Sequence, residues 1–256
     1  MSGDGPHPWR PTRLLLTCEH AGREIPSEYR KHFRGTGGVL RSHRGSDIGT
    51  LGVGIRMAAV LSVPLIITTI CRLLVEVNRS LGHPELFSEY TRGLPASERS
   101  DIIDRYYRPH RECVAQAIDD ATQAGHRVVH IGVHSFTDVW QGATRKLDIG
   151  LLFDPERAGE SEVCDAWRVA MENAEKGMRV RFNEPYLGID DGLTTAMRNR
   201  FSGDVYAGVE VEIRQGLILR SRDQRRMGDL LAGSLQTVLQ CGKSGVASPF
   251  RADGNR

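Results

Sequence analysis

The chain alternates short apolar runs with longer stretches in which apolar residues recur every three or four positions. Six short runs predict buried strands at residues 14–18, 64–69, 73–77, 127–133, 147–153 and 209–213. Helical spacing predicts helices at residues 47–61, 97–124, 161–176 and 227–239, the second of them capped by Ser97 or Ser100. Strands that alternate with helices predict an α/β sandwich around a mostly parallel sheet.

The sequence has 256 residues, with neither an internal repeat nor a low-complexity linker. A single domain over residues 1–256 is therefore predicted, with flexible tails at 1–12 and 242–256 and a long loop at 82–95. Hydrophobic residues make up 39% and charged residues 26% of the chain, proportions that favour a globular protein over a disordered one.

The charge and the cysteines narrow the classes of protein further. A formal net charge of +2 lies too near balance to favour nucleic acid or an anionic membrane as a partner. The longest apolar stretch, residues 57–70, is too short to span a bilayer. The five cysteines include no Cys-x-x-Cys pair, and the first residues lack the basic and apolar regions of a signal peptide. Reduced thiols in a cytoplasmic protein are therefore expected.

Side chains that can bind a metal follow two of the predicted strands. His20 comes just after the first strand and His134 just after the strand at 127–133, so both are expected at the carboxyl edge of the sheet, where α/β proteins bind ligands. Asp47 follows a Gly-Ser turn and begins a predicted helix. Two imidazoles and one carboxylate leave one position open on tetrahedral zinc, as in a catalytic site. Alternatively, the histidines are hydrogen-bonded loop residues and Asp47 only stabilises the helix dipole.

Two further groups of polar residues suit substrate binding or acid–base chemistry. Asn78 and Arg79 end the predicted strand at 73–77, where an arginine either binds a carboxylate through two parallel hydrogen bonds or forms a surface ion pair. Glu210 and Glu212 share one face of the predicted strand that begins at residue 208. Either they pair with arginines, of which Arg214 faces the same side, or one of them is a catalytic base.

Ordinary structural roles are expected for the remaining candidates. Arg145 and Asp148 precede a buried strand, so a salt bridge between them is the simplest explanation. His130 lies inside a predicted strand as a core histidine, and His110 belongs to a predicted helix. The sequence has no Gly-x-Ser-x-Gly motif of a serine hydrolase, and the glycines at 35–38 lack the Lys-Ser/Thr of a phosphate-binding loop.

An ordered series of short motifs resembles the N-formylglutamate amidohydrolase family over residues 13–220. The motifs are Cys-Glu-His-Ala-Gly at 18–22 with Ile-Pro at 25–26, His43 with Asp47 and Gly49, Asn78-Arg79, His-Ser-Phe at 134–136, Asp-Ile-Gly at 148–150, Asn-Glu-Pro-Tyr at 183–186 and Glu-Ile-Arg-Gln at 212–215. Two departures lie near the predicted site: Arg23 where many relatives have Asn, and Ser-Asp-Ile-Gly at 46–49 where many have Trp-Asp-Pro-Gly.

The resemblance implies a three-layer α/β/α fold related to the zinc carboxypeptidases, with a water nucleophile. The roles that it implies are zinc ligands at His20, Asp47 and His134, a general base at Glu212, carboxylate contacts at Asn78 and Arg79, and a second anion contact at Arg145. The departures from the family pattern concern the substrate more than the metal.

The function implied by the resemblance is zinc-dependent hydrolysis of the amide bond of a small-molecule N-acyl amino acid. The substrate expected from the resemblance is N-formyl-L-glutamate. A deacylase or small peptidase of the same chemistry is one alternative. A metal-binding or ligand-binding module that has lost catalysis is the other, and the presence of Glu212 beside the three implied ligands argues against it.

Overall fold

The computed structural model describes residues 11–243, with side-chain surroundings described as far as residue 240. The strands are β1 Thr12–Cys18, β2 Leu65–Ile67, β3 Arg127–Phe136, β4 Val139–Trp140, β5 Ala143–Thr144, β6 Ile149–Leu152, β7 Val180–Phe182 and β8 Tyr206–Arg214. The helices are α1 Gly37–Leu40, α2 Thr50–Leu61, α3 Ala96–Ile102, α4 Arg108–Gln123, α5 Ala158–Ala174, α6 Leu193–Arg200 and α7 Ser221–Lys243, with a π-helical turn at Ile103–Tyr107 and 3₁₀ turns at Ser27–Phe33 and Gln215–Leu217. The predicted tails, 1–12 and 242–256, lie outside the described residues except at 11–12 and 242–243.

Six strands form one sheet in the order β2-β1-β3-β8-β6-β7. The first four are parallel to one another, whereas β6 runs antiparallel to β8 and parallel to β7. The predicted α/β fold with a mostly parallel sheet is confirmed. Because β1, β3 and β8 are neighbours that run in the same direction, their carboxyl ends meet at one edge of the sheet.

Helices cover both faces of this sheet. On one face α2, α5 and α7 bury Met57, Trp167 and Leu231 against apolar side chains of β3, β6 and β8. On the other face α4 buries Ile118 against β1 and β3, and α6 buries Met197 against β8. A fully buried Met or Leu side chain stabilises the fold by about 1.5–3 kcal/mol relative to an exposed one. The three-layer α/β/α arrangement is therefore the one that the resemblance implied.

The apolar run at 73–77 is not a strand, contrary to the prediction. The N–H of Leu74 donates to the carbonyl of Cys71 at 2.8 Å, and the N–H of Glu76 donates to the carbonyl of Leu86 at 2.9 Å, so the segment is a buried succession of turns. Its apolar side chains pack with Tyr29 and Ile102 in a cluster outside the sheet. A short apolar run indicates burial, and by itself it does not distinguish a strand from a buried loop.

The long predicted helix at 97–124 consists of α3, the π-helical turn and α4, and neither Ser97 nor Ser100 caps it. The N-cap is Pro95, whose extended backbone precedes the helix and whose carbonyl accepts the N–H of Arg99 at 3.1 Å. Both serines lie inside α3. The cap was misplaced because the proline already fixes the start of the helix without a side-chain hydrogen bond.

Several elements had no counterpart in the sequence analysis, among them β7, α6 and the hairpin of β4 and β5. The hairpin turn consists of Gln141 and Gly142, which both have positive φ angles, 51° and 80°. Two-residue hairpin turns require this backbone conformation, and a glycine at the second position favours it. No helix among the described residues is long and apolar enough to cross a bilayer.

Candidate metal centre and active site

His20, Asp47 and His134 are brought together at the carboxyl edge of the sheet, and all three are buried. His20 lies in the turn that follows β1. His134 lies inside β3, which extends three residues beyond the predicted end at 133 because it pairs with β8 through Phe136. Asp47 lies before α2, which begins at Thr50, so its carboxylate does not belong to the first turn of the helix as predicted. Their role as ligands stays a prediction.

The donor atoms of these three residues lie close together. Oδ2 of Asp47 lies 3.3 Å from Nδ1 of His20 and 3.2 Å from Nδ1 of His134, and the three donor atoms lie within 4.8 Å of one another. Zinc bonds of about 2.0–2.2 Å at tetrahedral angles place neighbouring ligand atoms about 3.4 Å apart. Two imidazoles and one carboxylate at this spacing fit a divalent metal ion with a further position for a substrate or water.

Carboxylates dominate the electrostatics of this centre. Burial disfavours the charged form of His20, but Glu76 and Asp47 outweigh it and raise the pKa of that imidazole. Burial opposes the charge on His134 as well, and there Asp47 and Glu19 raise the pKa well above its usual value. Burial alone would also raise the pKa of Asp47, yet the two histidines hold it well below its usual value. The centre therefore favours positive charge between the histidines and Asp47.

Glu212 lies beside the three residues on β8. It pairs in register with His134 on β3 and with Gly150 on β6, so it faces the same side of the sheet as His134. A Cβ atom at Gly150 would lie 2.0 Å from the carbonyl oxygen of Glu184 and 3.3 Å from the Cβ of Glu212, so only glycine leaves this space. Burial raises the pKa of Glu212 to about 8; the charge of His134 opposes this rise, and the charges of Asp47 and Glu210 add to it. Its Oε2 atom is buried and has no hydrogen-bond partner among the described residues.

Glu210, the neighbour of Glu212 on the same face, has a different environment. Its Oε1 atom accepts a hydrogen bond from the hydroxyl of Thr194 at 2.8 Å. Neither glutamate pairs with Arg214, the arginine considered for them, because Arg214 forms an ion pair with Asp148 at 2.9 Å. Of the two carboxylates, Glu212 is the one with an unpartnered oxygen at the metal centre.

The expected salt bridge between Arg145 and Asp148 is not formed. Asp148 pairs instead with Arg179 at 2.8 Å and with Arg214. Sequence proximity favoured Arg145, whereas the register of β6 between β7 and β8 places the other two arginines next to Asp148.

Arg145 is half-buried among aromatic rings. Its guanidinium carbon lies 5.4 Å from the ring centroid of Phe136, 5.5 Å from that of Trp140 and 5.3 Å from that of Tyr186. Its polar contacts are long: 3.4 Å to the hydroxyl of Tyr186 and 3.4 Å to the carbonyl of Thr137. No carboxylate of the described chain pairs with this guanidinium. Arg145 is therefore a positioned cation without a carboxylate partner among the described residues.

Asn78 and Arg79 lie next to the metal centre, in a loop and not at the end of a strand. Oδ1 of Asn78 accepts the N–H of Leu193 at 2.6 Å, which leaves Nδ2 as a donor. Arg79 donates to the carbonyl of Asp191, and its own carbonyl accepts the hydroxyl of Tyr107 at 2.8 Å. These contacts fix both residues between the loop at 187–192 and the π-helical turn.

Two further histidines, His130 and His43, lie in different surroundings. His130 is a core residue as predicted: its ring nitrogens contact the hydroxyls of Thr17 and Tyr206, both at 2.8 Å. His43, which the family motifs contain, lies closer to the metal centre, with Nδ1 3.7 Å from Oδ1 of Asp47. Burial lowers the pKa of His43, which favours its neutral form.

Three residues at this centre were not assigned a role from the sequence: Glu19, Glu76 and Arg72. Glu76 Oε1 accepts hydrogen bonds from Nε2 of His20 at 2.6 Å and from the N–H of Asn78 at 3.0 Å. Glu19 Oε2 lies 2.8 Å from Nε2 of His134. The sequence offered a clue to Glu19, because it stands next to His20, a predicted ligand, in Cys-Glu-His. Nothing in the sequence around Arg72 indicated that its side chain reaches the metal centre.

Comparison with known proteins gives one family match and several structural neighbours. The model of the N-formylglutamate amidohydrolase family matches residues 12–219. The crystal structure of a gene product from Agrobacterium tumefaciens is 28% identical, with a TM-score of 0.79, and the match covers 90% of this chain and 91% of that one. N-formylglutamate amidohydrolase from Ralstonia eutropha JMP134 is 18% identical with a TM-score of 0.68, covering 94% and 97%, a likeness that concerns the fold alone. None of the curated proteins matches the sequence.

Proposed function

The chain belongs to the N-formylglutamate amidohydrolase family, and we propose from this membership that it hydrolyses the amide bond of an N-acyl amino acid in a metal-dependent reaction. The observation that carries the proposal is the convergence of two imidazole Nδ1 atoms and one carboxylate oxygen beside the unpartnered oxygen of Glu212. The substrate that we propose is N-formyl-L-glutamate, and the products are formate and L-glutamate.

His20, Asp47 and His134 would hold the metal ion. Zinc is the ion that we propose, because nitrogen and carboxylate ligands with an open position are typical of catalytic zinc sites. Bound there, zinc supplies Lewis-acid polarisation of a water molecule and of the acyl carbonyl.

Glu212 acts as the general base in this proposal. Its carboxylate accepts a proton from the attacking water at Oε2, the oxygen that lacks a protein partner. As water oxygen adds to the acyl carbon and the carbon–nitrogen bond breaks, the same carboxyl returns the proton to the leaving amine. The burial of Glu212 excludes bulk water, which would otherwise compete for both transfers.

Asn78 and Arg79 are the proposed contacts for the α-carboxylate of the substrate. Nδ2 of Asn78 remains available because Oδ1 is occupied by Leu193. The contact of Arg79 with the carbonyl of Asp191 holds the guanidinium in place, which lowers the entropy lost when it binds a carboxylate. Both residues adjoin His20 through Glu76.

Arg145 is the proposed contact for a second carboxylate. Phe136 lies two residues beyond His134 on the same face of β3, a spacing of about 6.6–6.8 Å, and the guanidinium lies 5.4 Å from its ring. Aromatic rings around the guanidinium leave its N–H edge as the side that can form two parallel hydrogen bonds with a carboxylate. The side-chain carboxylate of an N-acyl glutamate is the group that we propose for this contact.

The exposed aromatic side chain of Trp140 favours a second candidate function, the removal of an acyl group larger than formyl. Its ring borders Arg145 and is 56% exposed, although side chains of this size are usually more buried. In that reaction the larger acyl group, and not the side chain of the amino acid, would lie at Arg145 and cover Trp140.

We also propose that the protein is located in the cytoplasm, because its widely spaced cysteines suit a reducing compartment.

A substrate panel tests the proposed function. Zinc-loaded protein is assayed with N-formyl, N-acetyl and N-succinyl derivatives of L-glutamate, L-glutamine and L-leucine, and with dipeptides. We expect the highest kcat/KM with N-formyl-L-glutamate. A preference for the larger acyl groups would favour the second candidate, and no hydrolysis of any member by the zinc-loaded protein would refute the proposed function.

Replacing Arg79 with lysine is expected to raise KM for N-formyl-L-glutamate by roughly 10–100-fold, since a lysine cannot form the two parallel hydrogen bonds that an arginine forms with a carboxylate. Steady-state kinetics measure the change, and Arg44→Lys is the matched control, because Arg44 forms an exposed ion pair with Glu89. The wild type should discriminate by a similar factor against a substrate whose α-carboxylate is a methyl ester. Equal kinetics on acid and ester would contradict carboxylate recognition by Arg79.

A further inference from the structure

Each histidine of the metal centre contacts a buried carboxylate on the side away from Asp47. Nε2 of His20 lies 2.6 Å from Oε1 of Glu76, and Nε2 of His134 lies 2.8 Å from Oε2 of Glu19. Both rings therefore place Nε2 next to a glutamate and Nδ1 next to Oδ2 of Asp47. The contact of His20 with Glu76 is a hydrogen bond, whereas that of His134 with Glu19 is an ion pair without hydrogen-bond geometry. Glu19 and Glu76 are themselves buried, so neither contact is a chance encounter of mobile surface side chains.

Contact with a glutamate determines which nitrogen of each ring carries the proton. An ionised carboxylate only accepts hydrogen bonds, so Nε2 of His20 is the donor to Glu76, and the negative charge of Glu19 favours a proton on Nε2 of His134. In a neutral ring Nδ1 then has the lone pair, and it directs that lone pair toward Asp47. Two nitrogen lone pairs and a carboxylate oxygen at 3.2–3.3 Å require positive charge between them, which protons on Nδ1 supply in the metal-free protein and a bound metal ion would supply in their place.

Arg72 joins one of these glutamates to Asp47. Its Nε atom donates to Oε2 of Glu76 at 2.6 Å, and its Nη1 atom lies 3.3 Å from Oδ1 of Asp47. Asp47, His20, Glu76 and Arg72 therefore form a closed ring of side-chain contacts. Each carboxylate in the ring uses one oxygen toward the histidine and the other toward the arginine, so the orientation of His20 is determined from both sides.

Glu19, the glutamate that contacts His134, has different neighbours from those of Glu76. Glu19 contacts His134 through Oε2, while its Oε1 atom lies 3.7 Å from Nε2 of His110 on α4. Oε1 of Glu19, Nε2 of His110 and Nε2 of His134 all lack a hydrogen-bond partner among the described residues. His134 is therefore held by its place in β3 and by one glutamate, without the closed ring that surrounds His20.

We infer that Glu19 and Glu76 are positioning residues that make His134 and His20 bind the metal through Nδ1, and that Arg72 holds the carboxylate of Glu76 in place. The inference rests on the proposed metal centre. Carboxylates of this kind hold a ligand histidine in one tautomer and orientation, and they increase the basicity of the coordinating nitrogen. Neither glutamate touches the reacting atoms in this account.

Zinc affinity of the glutamine variants is the first test. Glu76→Gln and Glu19→Gln should each weaken zinc binding by about 10–100-fold, measured by competition with a chelator of known affinity. Glu89→Gln is the matched control, because it removes a carboxylate from an exposed ion pair with Arg44, and it should bind zinc as the wild type does. A merely structural role would lower the melting temperature and leave the zinc affinity of the folded protein unchanged. Wild-type affinity in both variants would overturn the inference.

The tautomer of each ring is a second test, and it needs no variant. In the zinc-loaded wild type, two-bond nitrogen–proton correlation spectra should identify Nδ1 of both rings as metal-bound and Nε2 as protonated. A metal-bound Nε2 in either ring would overturn the inference, and so would a wild type that does not bind zinc. Neither test measures hydrolysis, so failure of the proposed reaction on every amide substrate remains distinguishable from failure of this inference.

Discussion

Replacing Glu212 with glutamine is expected to lower the turnover of N-formyl-L-glutamate by about 10²–10⁴-fold, the usual contribution of a general base. The physical reason is that an amide cannot accept the proton of the attacking water, while its volume and its place in β8 are unchanged. Zinc content and the melting temperature should stay close to those of the wild type. Single-turnover kinetics on zinc-loaded protein measure the effect.

Glu210→Gln is the matched control for this substitution. Both residues are glutamates on the same face of β8, but Glu210 already accepts a hydrogen bond from Thr194, so its carboxylate has a structural use. The control should keep turnover within a few-fold of the wild type. Loss of turnover in Glu210→Gln with turnover intact in Glu212→Gln would show that the base had been assigned to the wrong glutamate.

The pH dependence of kcat/KM should reflect the ionisation of Glu212. Burial raises the pKa of this carboxyl to about 8 in the absence of a metal ion, and a dication at the neighbouring centre favours the ionised form and lowers that pKa. The base must be ionised, so kcat/KM should rise with pH through the pKa of Glu212 and then level off. The glutamine variant should lack this rising limb.

His20→Ala and His134→Ala are expected to lose the metal ion and with it nearly all turnover. Each substitution removes one of three ligands from a buried site, and two ligands do not bind zinc tightly enough to retain it through dialysis. Metal analysis after dialysis measures the occupancy. Full occupancy in both variants would contradict the ligand assignment.

His83→Ala is the control for the ligand substitutions. His83 lies in the loop that follows Arg79, where its Nδ1 atom accepts the N–H of Glu85 at 3.1 Å. It therefore has the same chemistry as the two ligands without a place in the metal centre. The variant should retain its zinc and its turnover.

The proximity of His20, Asp47 and His134 could be predicted from the sequence, because it depends mainly on the order and direction of the strands. His20 and His134 come at the ends of neighbouring parallel strands, and the carboxyl ends of such strands meet at one edge. The motif around Asp47 added the third residue. Glu212 was singled out by the family resemblance, and the structure places it in register with His134 on the parallel strand β8.

The surroundings of these residues depended on contacts that no local pattern contains. Arg72 reaches Asp47 and Glu76 because residues 73–77 form a buried loop, and the apolar run there had predicted a strand. The aromatic surroundings of Arg145 require the β4–β5 hairpin to bring Trp140 over it. The Gln141-Gly142 turn of that hairpin was a usable signal, but strands of two residues are too short for an alternation of apolar and polar positions to be recognised.

The most direct measurement of the central claim combines metal analysis and hydrolysis on one sample of wild-type protein. The metal is removed with a chelator, zinc is returned in known amounts, and release of formate from N-formyl-L-glutamate is followed at each step. Turnover should be absent at the start, rise in proportion to zinc, and level off at about one zinc per chain. Full turnover in the stripped protein, or no turnover once zinc is bound, would contradict the account.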